Sequence, residues 1–368
     1  MPLVVVRLSP VEAVDAIRRA WDMGRGVLVL DPRAPDAEIE RILARLDPDG
    51  DVDPDVAAVV TTSGTTGEPK GVELTFGGLQ ASARAVSAAV GAGPGDRWLC
   101  CMPLHYVAGL AVLARSWTVG TPVDFLPRFD VEAVRASKAT LLSLVPLMAR
   151  RLLAAGVDLG HFRRILIGGG PVPDDLPGTS TYGLTETWGG VVHAGHALDG
   201  VEIALGHDDE ILVRGPVVMR GYRSPTGAAD TAAAFTAGGW LRTGDAGVID
   251  GQGRLRVVDR LRDLIKTGGV SVAPSEVEAV LAGHPHVADV GVSGVPDPEW
   301  GERVVAYVVP ADPAAPPRLD ALRDFARDRL SVAKLPREVV VVEAVPRTPG
   351  GKLLRRLLES THRPPGSS

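Results

Sequence analysis

Residues 61–75 read TTSGTTGEPKGVELT, a concentration of small polar residues followed by a lysine. It opens with an unbroken run of Thr, Ser and Gly and then reaches Lys70, one of only five lysines in the chain. Gly64 and Gly67 allow the backbone to turn with its N–H groups facing inward, which forms a nest for anionic oxygens. Hydroxyl and ammonium donors are added by Ser63, Thr65, Thr66 and Lys70. The stretch therefore predicts a loop that binds a polyphosphate.

This loop differs from the phosphate loop of P-loop ATPases. That motif, GxxxxGK[ST], needs Gly immediately before the lysine and Ser or Thr immediately after it. Here Pro69 precedes Lys70 and Gly71 follows it, which excludes a phosphate-transferring P-loop ATPase. A polar turn after a strand is the alternative for the stretch taken alone, so motifs elsewhere in the chain have to decide.

Composition limits the class of protein. The 368 residues are 45% hydrophobic, which is enough for one large domain with a substantial core and a smaller second domain. The formal net charge of −6 argues against a nucleic-acid partner, because nucleic-acid-binding domains carry a basic excess. The N-terminal residues MPLVVVRLSP lack the charged start and long apolar core of a signal peptide. No apolar run approaches the ~20 residues of a membrane span, so the sequence predicts a cytoplasmic protein.

The two cysteines, Cys100 and Cys101, are adjacent within an apolar run. Neighbouring cysteines rarely form a relaxed disulfide, and two thiols cannot staple a fold of this size. We therefore expect both to be buried small hydrophobic residues in a reducing compartment.

Short apolar runs alternate with helix-like segments up to about residue 170, which predicts a layered α/β architecture. The predicted strands are residues 26–30, 56–60, 97–102 and 140–145, and the predicted helices are 77–91, 107–119 and 146–155. Residues 201–258 consist of short strands split by Gly and Asp, and predict a β-rich subdomain. A helix, two strands and a helix after Arg260 predict a compact α+β unit of about 100 residues. We therefore expect an N-terminal domain over residues 1–260 and a small C-terminal domain over 261–368.

The stretch SGTTGEPKG (63–71) closely resembles the phosphate loop of the adenylate-forming superfamily, which includes acyl-CoA synthetases, luciferases and the adenylation domains of peptide synthetases. Further matches follow in the family's order, and the resemblance runs from about residue 56 to 356. These matches are GGGP (168–171), TYGLTET (181–187), GYRS (221–224), GGWLRTGD (238–245), DRLRDLIKTGGVSVAPSEVE (259–278) and PRTPGGK (346–352).

The resemblance implies a reaction in two halves. A carboxylate attacks the α-phosphate of ATP and gives an acyl adenylate and pyrophosphate. A thiol, usually that of coenzyme A, then displaces AMP. ATP, Mg²⁺ and coenzyme A are therefore the implied cofactor and co-substrates, together with a small carboxylic acid. Because both first-step reactants are anionic, the site has to supply positive charge and orientation.

The same resemblance assigns roles to residues of the motifs. Glu186 looks like the magnesium-coordinating glutamate, Thr185 would touch the α-phosphate, and Tyr182 would face the adenine. Asp245 and Arg260 look like the pair that contacts the ribose. The remaining ATP-binding positions are Ser63, Gly64, Thr65, Thr66, Lys70, Gly169, Gly170 and Pro171.

The C-terminal motifs would serve the two halves separately. Lys352 resembles the lysine that stabilises the charge developing during adenylation, and Gly269 would pass beside the pantetheine of coenzyme A. Arg262 stands where the family has the hinge about which the small, mobile domain rotates between the half-reactions. The family's hinge residue is often acidic, so the arginine departs from the pattern.

Residues 102–116 (MPLHYVAGLAVLARS) and 143–153 most resemble the o-succinylbenzoate–CoA ligases of menaquinone synthesis. In these ligases an arginine follows the Gly of this segment by six residues, as Arg115 follows Gly109 here. A buried arginine is a suitable receptor for the second carboxylate of that substrate, whereas a surface helix arginine reaching solvent is the alternative. The family usually has Phe-His where this chain has His105-Tyr106, which leaves open which of the two lies between thiol and acyl pocket.

Other readings stay open at this level. The chain could be a CoA ligase for another aryl or short-chain acid, or a stand-alone adenylation enzyme that loads a carrier protein. A catalytically inactive nucleotide-binding regulator is disfavoured, because Lys70, Glu186, Asp245 and Lys352 are all present. The assembly state is also open, with a homodimer as one alternative. Only about 60 residues precede the phosphate loop, fewer than in most members of the superfamily.

Overall fold

The computed structural model describes residues 1–63, 68–173, 175–347 and 353–361. It is a mixed α/β structure, as the alternation of strands and helices predicts. The chain divides into two compact units. The N-terminal unit contains Met1–Leu205, Ile211–Thr243 and Ile249–Leu255. The C-terminal unit contains Gly206–Glu210, Gly244–Val248 and the chain from Arg256 onward. The domain boundary after residue 260 stays a prediction.

Strands and helices alternate in the first part of the chain. In order, they are β1 (Val4–Val6), α1 (Pro10–Asp22), β2 (Val27–Val29), α2 (Asp36–Leu46), β3 (Val56–Ser63), β4 (Pro69–Thr75), α3 (Phe76–Ala89), β5 (Trp98–Cys100), α4 (Val107–Val119), β6 (Val123–Phe125), α5 (Val131–Ala136), β7 (Leu141–Leu144), α6 (Pro146–Ala154), β8 (Arg164–Ile167), β9 (Thr179–Leu184), β10 (Gly189–His193) and β11 (His196–Ala197). All the strands and helices predicted for this part are confirmed, with ends shifted by up to three residues.

Short strands dominate the next segment, and a second alternation follows. The elements are β12 (Glu202–Leu205), β13 (Glu210–Arg214), β14 (Gly221–Arg223), α7 (Gly227–Ala234), β15 (Leu241–Ile249), β16 (Leu255–Arg260), β17 (Ile265–Thr267), β18 (Val270–Val272), α8 (Pro274–Leu281), β19 (Val287–Asp297), β20 (Gly301–Pro310), α9 (Leu319–Ala326), β21 (Glu338–Val341) and α10 (Arg355–Thr361). Strands β12, β13, β15 and β16 form one four-stranded sheet in that order.

The N-terminal unit is built on two sheets. The first has the order β1-β2-β3-β4-β14, parallel from β1 to β3 and antiparallel beyond. The second has the order β11-β10-β9-β8-β7-β5-β6, and its strands from β6 to β9 are all parallel. Parallel strands need crossover connections, which here are α4, α5 and α6 among others.

Helices α3 and α4 lie between these two sheets and are apolar on both sides. Leu79 and Leu110 pack into the core of the first sheet, whereas Val86 and Val112 pack against the second. A helix that is apolar around most of its circumference has to be buried in this way. Helix α2 covers the outer face of the first sheet, and α6 covers the outer face of the second.

Both cysteines are buried and unpaired, as predicted. Cys100 faces the core shared with α4, and Cys101 faces the opposite core with α6, because successive strand residues alternate between faces. Burial raises the pKa of each thiol to about 12. Neutral thiols of this kind are structural and poorly reactive.

The C-terminal unit has its own core. Its sheet has the order β18-β17-β20-β19, with β21 parallel to β20. Helices α8 and α9 pack on one face through Val277, Leu281 and Leu322. On the other face, Leu358 of α10 packs with Tyr307. Among the helices of the described ranges, none combines the length and apolar character needed to cross a bilayer.

Candidate functional site

Five parallel strands of the second sheet end at one edge, and predicted site residues follow three of them. Strand β5 leads to His105 and Tyr106, β8 leads to the turn 168–171, and β9 leads to Thr185 and Glu186. Ligands of open parallel sheets bind outside the carboxyl ends of the strands. Separate motifs thus converge on one edge of the N-terminal unit.

Two motif glycines are required because neighbouring strands approach closely. A Cβ at Gly183 would lie 1.8 Å from the carbonyl oxygen of Gly189, and one at Gly168 would lie 2.2 Å from Thr181 Oγ1. Gly169 has a φ of 81°, in the left-handed region that favours glycine. These glycines fix the turns that carry Gly170, Pro171 and Thr185.

Glu186 lies in a 3₁₀ turn, Thr185–Thr187, that is fixed from both ends. Thr187 Oγ1 accepts from Leu184 N (3.0 Å) and donates to the Gly189 carbonyl (2.9 Å). The next residue, Trp188, is 1% exposed with a φ of 54°, and its Nε1 donates to the Thr75 carbonyl (3.1 Å). The turn is therefore anchored to the junction of β4 and α3.

Lys70 and Glu186 are connected through residues of β14 and α7. The Tyr222 hydroxyl donates to Glu186 Oε1 (2.8 Å), and Lys70 Nζ lies 5.4 Å from the centroid of the Tyr222 ring. Lys70 Nζ also forms an ion pair with Asp230 Oδ1 (3.0 Å). The predicted phosphate-loop lysine and the predicted magnesium ligand thus belong to one network.

Some predicted positions lie outside the described residues: Gly64, Thr65, Thr66 and Lys352. Ser63 is the last residue of β3, and its backbone is in register with Pro69 of β4. Strands β3 and β4 therefore bring the two ends of the predicted phosphate loop together.

Arg115 lies on α4 and is only 6% exposed. Its guanidinium lies 4.7 Å from the ring centroid of Trp98, and its Nε and Nη1 have no hydrogen-bond partner among the described residues. Burial lowers the pKa of Arg115 to about 10. The side chain does not reach solvent, so the surface alternative considered for this arginine is wrong. His193 Nε2 and Trp98 Nε1 are likewise buried without a partner in the described part of the chain.

The rings of His105 and Tyr106 lie 4.3 Å apart, centroid to centroid. The His105 side chain is 12% exposed, with Nε2 3.8 Å from Asp31 Oδ2, whereas Tyr106 is 55% exposed. Burial lowers the pKa of His105 against the opposing effect of Asp31. His105 is therefore the inward member of the pair.

The predicted ribose residues meet in the C-terminal unit. Arg260 Nε lies 2.7 Å from Asp245 Oδ1, and the Asp245 side chain is 7% exposed. Gly244 precedes Asp245 with a φ of 69°, and its N–H donates to Glu210 Oε1 (3.1 Å). The structure thus brings together two residues that lie fifteen positions apart in sequence.

Arg262 and Gly269 also lie in the C-terminal unit. Arg262 is in a 3₁₀ turn, Leu261–Asp263, with a side chain that is 58% exposed and Nε 3.6 Å from Asp263. Gly269 has a φ of 78°, and no heavy atom lies within 4 Å of an added Cβ. The exposed Arg262 side chain is compatible with a hinge. The open space around Gly269 is compatible with a pantetheine passing beside it. Both roles stay predictions.

Sequence reasoning missed four residues that complete these contacts. Tyr222 lies within the GYRS motif, which was the available signal. Asp230, Trp98 and His193 stand in stretches without a motif, and only the folded chain brings them to Lys70 and Arg115.

Comparison with known families gives two matches. The family of AMP-binding enzymes matches residues 3–223. The C-terminal domain of AMP-binding enzymes matches residues 276–352. The two matches follow each other in the order of the motifs.

Similar proteins include a probable 2-succinylbenzoate–CoA ligase of Mycobacterium tuberculosis, 40% identical over 87% of this chain and 88% of that protein. The o-succinylbenzoate coenzyme A synthetase of Bacillus subtilis in complex with the acyl-adenylate intermediate is 34% identical, with a TM-score of 0.78 over 96% of this chain and 81% of that chain. The same Bacillus enzyme in complex with ATP and magnesium ion is 32% identical, with a TM-score of 0.77 over 97% and 84%.

Proposed function

The chain belongs to the AMP-binding enzyme family, and we propose that it is the acid–thiol ligase that activates o-succinylbenzoate through an acyl adenylate and transfers it to coenzyme A. Its similarity to 2-succinylbenzoate–CoA ligases over most of its length supports this assignment. The reaction would serve menaquinone biosynthesis in the cytoplasm, where ATP and coenzyme A are available.

The buried Arg115 guanidinium is the observation that carries the choice of acid. A buried charge without a hydrogen-bonding partner is costly to fold, and a guanidinium offers a planar fork that matches a carboxylate. o-Succinylbenzoate has two carboxylates, of which only the succinyl one is activated. We propose that Arg115 receives the ring carboxylate, while the Trp98 ring holds the guanidinium from one side.

Adenylation would proceed at the edge of the second sheet. The succinyl carboxylate attacks the α-phosphorus, and the bond to the bridging oxygen of pyrophosphate breaks. Lys70 and Thr185 would hold phosphate oxygens, Tyr182 and the turn 169–171 would hold adenine, and Asp245 with Arg260 would hold ribose. Lys352 would stabilise the developing charge.

Glu186 suits a magnesium ion shared with ATP. Its Oε1 accepts from Tyr222, and no described residue hydrogen-bonds to its Oε2. Hard cations such as Mg²⁺ prefer one or two carboxylates together with substrate phosphates, and a bound ion would neutralise phosphate charge. Glu186 would hold that ion. In the second half-reaction, the thiol of coenzyme A attacks the acyl carbon and AMP leaves, with Gly269 beside the thiol arm.

A panel of carboxylates tests the proposal. Acid-dependent pyrophosphate release is measured with and without coenzyme A, using o-succinylbenzoate and 4-phenyl-4-oxobutanoate, which lacks the ring carboxylate. Wild type should prefer o-succinylbenzoate. Removing one partner of a buried charged pair weakens binding by roughly 2–5 kcal/mol. Arg115→Ala should therefore lower kcat/KM for o-succinylbenzoate by at least ~30-fold. Its effect on the analogue and on ATP binding should be small.

Arg115→Lys should restore part of the activity, because an ammonium lacks the planar fork. Arg84→Ala is the matched control, since Arg84 is an exposed arginine of α3 in the same unit. Equal use of both acids by wild type would overturn the proposed substrate. Transfer to a carrier protein but not to coenzyme A would favour the adenylation enzyme instead.

A further inference from the structure

Tyr222 occupies the centre of the network that joins Lys70 to Glu186. Its hydroxyl donates to Glu186 Oε1 (2.8 Å), and the face of its ring lies 5.4 Å from Lys70 Nζ. One side chain therefore contacts both the predicted ligand of the cation and the predicted phosphate-binding lysine. Strand β4 carries Lys70, and β14, which carries Tyr222, pairs with β4.

Asp230 compensates the charge of Lys70 through an ion pair. Asp230 Oδ1 lies 3.0 Å from Lys70 Nζ, and its Oδ2 accepts from the Thr226 hydroxyl (2.8 Å). The hydrogen bond from Thr226 and the interactions with Lys70 lower the pKa of Asp230. Lys70 is therefore placed by an ionised carboxylate and an aromatic face.

The backbone of Tyr222 is fixed from several directions. Its N–H donates to Thr231 Oγ1 (2.8 Å), whose hydroxyl donates to the Gly227 carbonyl (2.7 Å). Arg223, the next residue, donates to the carbonyls of Leu46 (2.5 Å) and Asp47 (2.6 Å). The phenol is thus presented to Glu186 from a rigid strand, which is what a positioning group requires.

We propose that Tyr222 is a positioning residue that orients the Glu186 carboxylate for its divalent cation. Because the Tyr222 hydroxyl donates to Oε1, it fixes the orientation in which the Glu186 carboxylate would meet the ion. Hydrogen bonds to a ligating carboxylate fix its orientation, and their loss typically weakens metal binding 10–100-fold. This inference rests on the proposed function only in that Glu186 binds the cation of an ATP complex.

The test is the affinity for Mn²⁺ in the presence of α,β-methylene-ATP, followed by the electron paramagnetic resonance signal of free Mn²⁺. Tyr222→Phe keeps the ring beside Lys70 and removes only the hydroxyl, so Mn²⁺ affinity should fall about tenfold. The Mg²⁺ concentration for half-maximal pyrophosphate release should rise by a similar factor, while kcat at saturating Mg²⁺ stays near the wild-type value. A merely structural residue would not shift the Mg²⁺ dependence.

Two further variants sharpen the result. Tyr307→Phe removes a phenol hydroxyl from the C-terminal unit and should leave Mn²⁺ affinity unchanged. In a Glu186→Gln background, Tyr222→Phe should have no further effect, because the two changes act through one carboxylate. Mn²⁺ affinity within twofold of wild type in a folded Tyr222→Phe protein would overturn the inference. Since the binding assay contains no acid or coenzyme A, that outcome is distinct from a wrong choice of substrate.

Discussion

At the scale of single residues, burial decides what a polar side chain can do. His193 ends β10 and is 8% exposed, and its Nε2 has no partner among the described residues. Gly190 lies close to the imidazole, since a Cβ added there would lie 3.4 Å from His193 Nε2. Burial, and then the charge of Arg115, lower the pKa of His193 to about 4. The imidazole therefore stays neutral in the folded protein at neutral pH.

The protein should lose stability as the pH falls through this range. Between pH 6.5 and about 4 the unfolded chain binds a proton at His193 that the folded chain does not. The free energy of unfolding therefore falls with falling pH, by up to about 3 kcal/mol from this group. Denaturant unfolding across this range should show a weaker pH dependence in His193→Gln than in wild type. His196→Gln, an exposed neighbour on β11, should match wild type, and an equal slope in His193→Gln would contradict the assignment.

At the scale of elements, a largely buried charge cluster attaches the short helix α10 to the rest of the C-terminal unit. Arg355 donates to both carboxylate oxygens of Glu278 on α8 and to the Val292 carbonyl (2.8 Å). Its Nε lies 3.8 Å from Asp263, and its Nη2 lies 3.9 Å from Asp259. Arg355 is 13% exposed. One side chain thus joins α10, α8, β19 and the turn that carries Arg262.

Removing this charge should loosen the attachment of α10. Breaking a buried ion pair by deleting one partner costs about 3 kcal/mol or more, because the other charge stays buried. Arg355→Met should therefore speed amide hydrogen exchange in α10 and α8. Arg356 is an exposed neighbour, so Arg356→Met should change the free energy of unfolding by less than about 0.5 kcal/mol. Arg355→Met with Glu278→Met should cost less than the sum of the single changes; strict additivity would mean that the pair does not interact.

At the scale of the whole molecule, the chain consists of two units with separate cores. Glu186 and Lys70 lie in the N-terminal unit, whereas Asp245 and Arg260 lie in the C-terminal one. Lys352 and Gly269 follow in the C-terminal part of the sequence. We propose that these two residues serve different half-reactions.

The half-reactions should separate in one variant. Lys352→Ala should slow acyl-adenylate formation by about 10²-fold, because a charge aimed at the transition state is lost. Conversion of preformed acyl adenylate to the thioester should continue. Single-turnover assays measure each step. Lys334→Ala is the matched control, because that lysine binds Glu276 (2.6 Å) on the same unit. Equal loss of both steps in Lys352→Ala would contradict the division of roles.

The sequence by itself determined the α/β fold class and the family chemistry. Alternating apolar runs predicted β2, β3, β5 and β7 and the helices between them, since local periodicity reflects which faces are buried. The motif series predicted an adenylate-forming ligase because each motif keeps its residues close together in the chain. The burial of Cys100 and Cys101 followed from their apolar surroundings.

Only the tertiary structure decided which polar groups meet. Tyr222 and Glu186 are 36 residues apart, and Arg355 and Glu278 are 77 apart; no local pattern encodes such pairs. Likewise, a helical arginine such as Arg115 has the same sequence pattern whether it reaches solvent or packs on Trp98. The difference arises from packing α4 between two sheets, which removes the solvent that would otherwise solvate the guanidinium and leaves a bound carboxylate as its proposed partner.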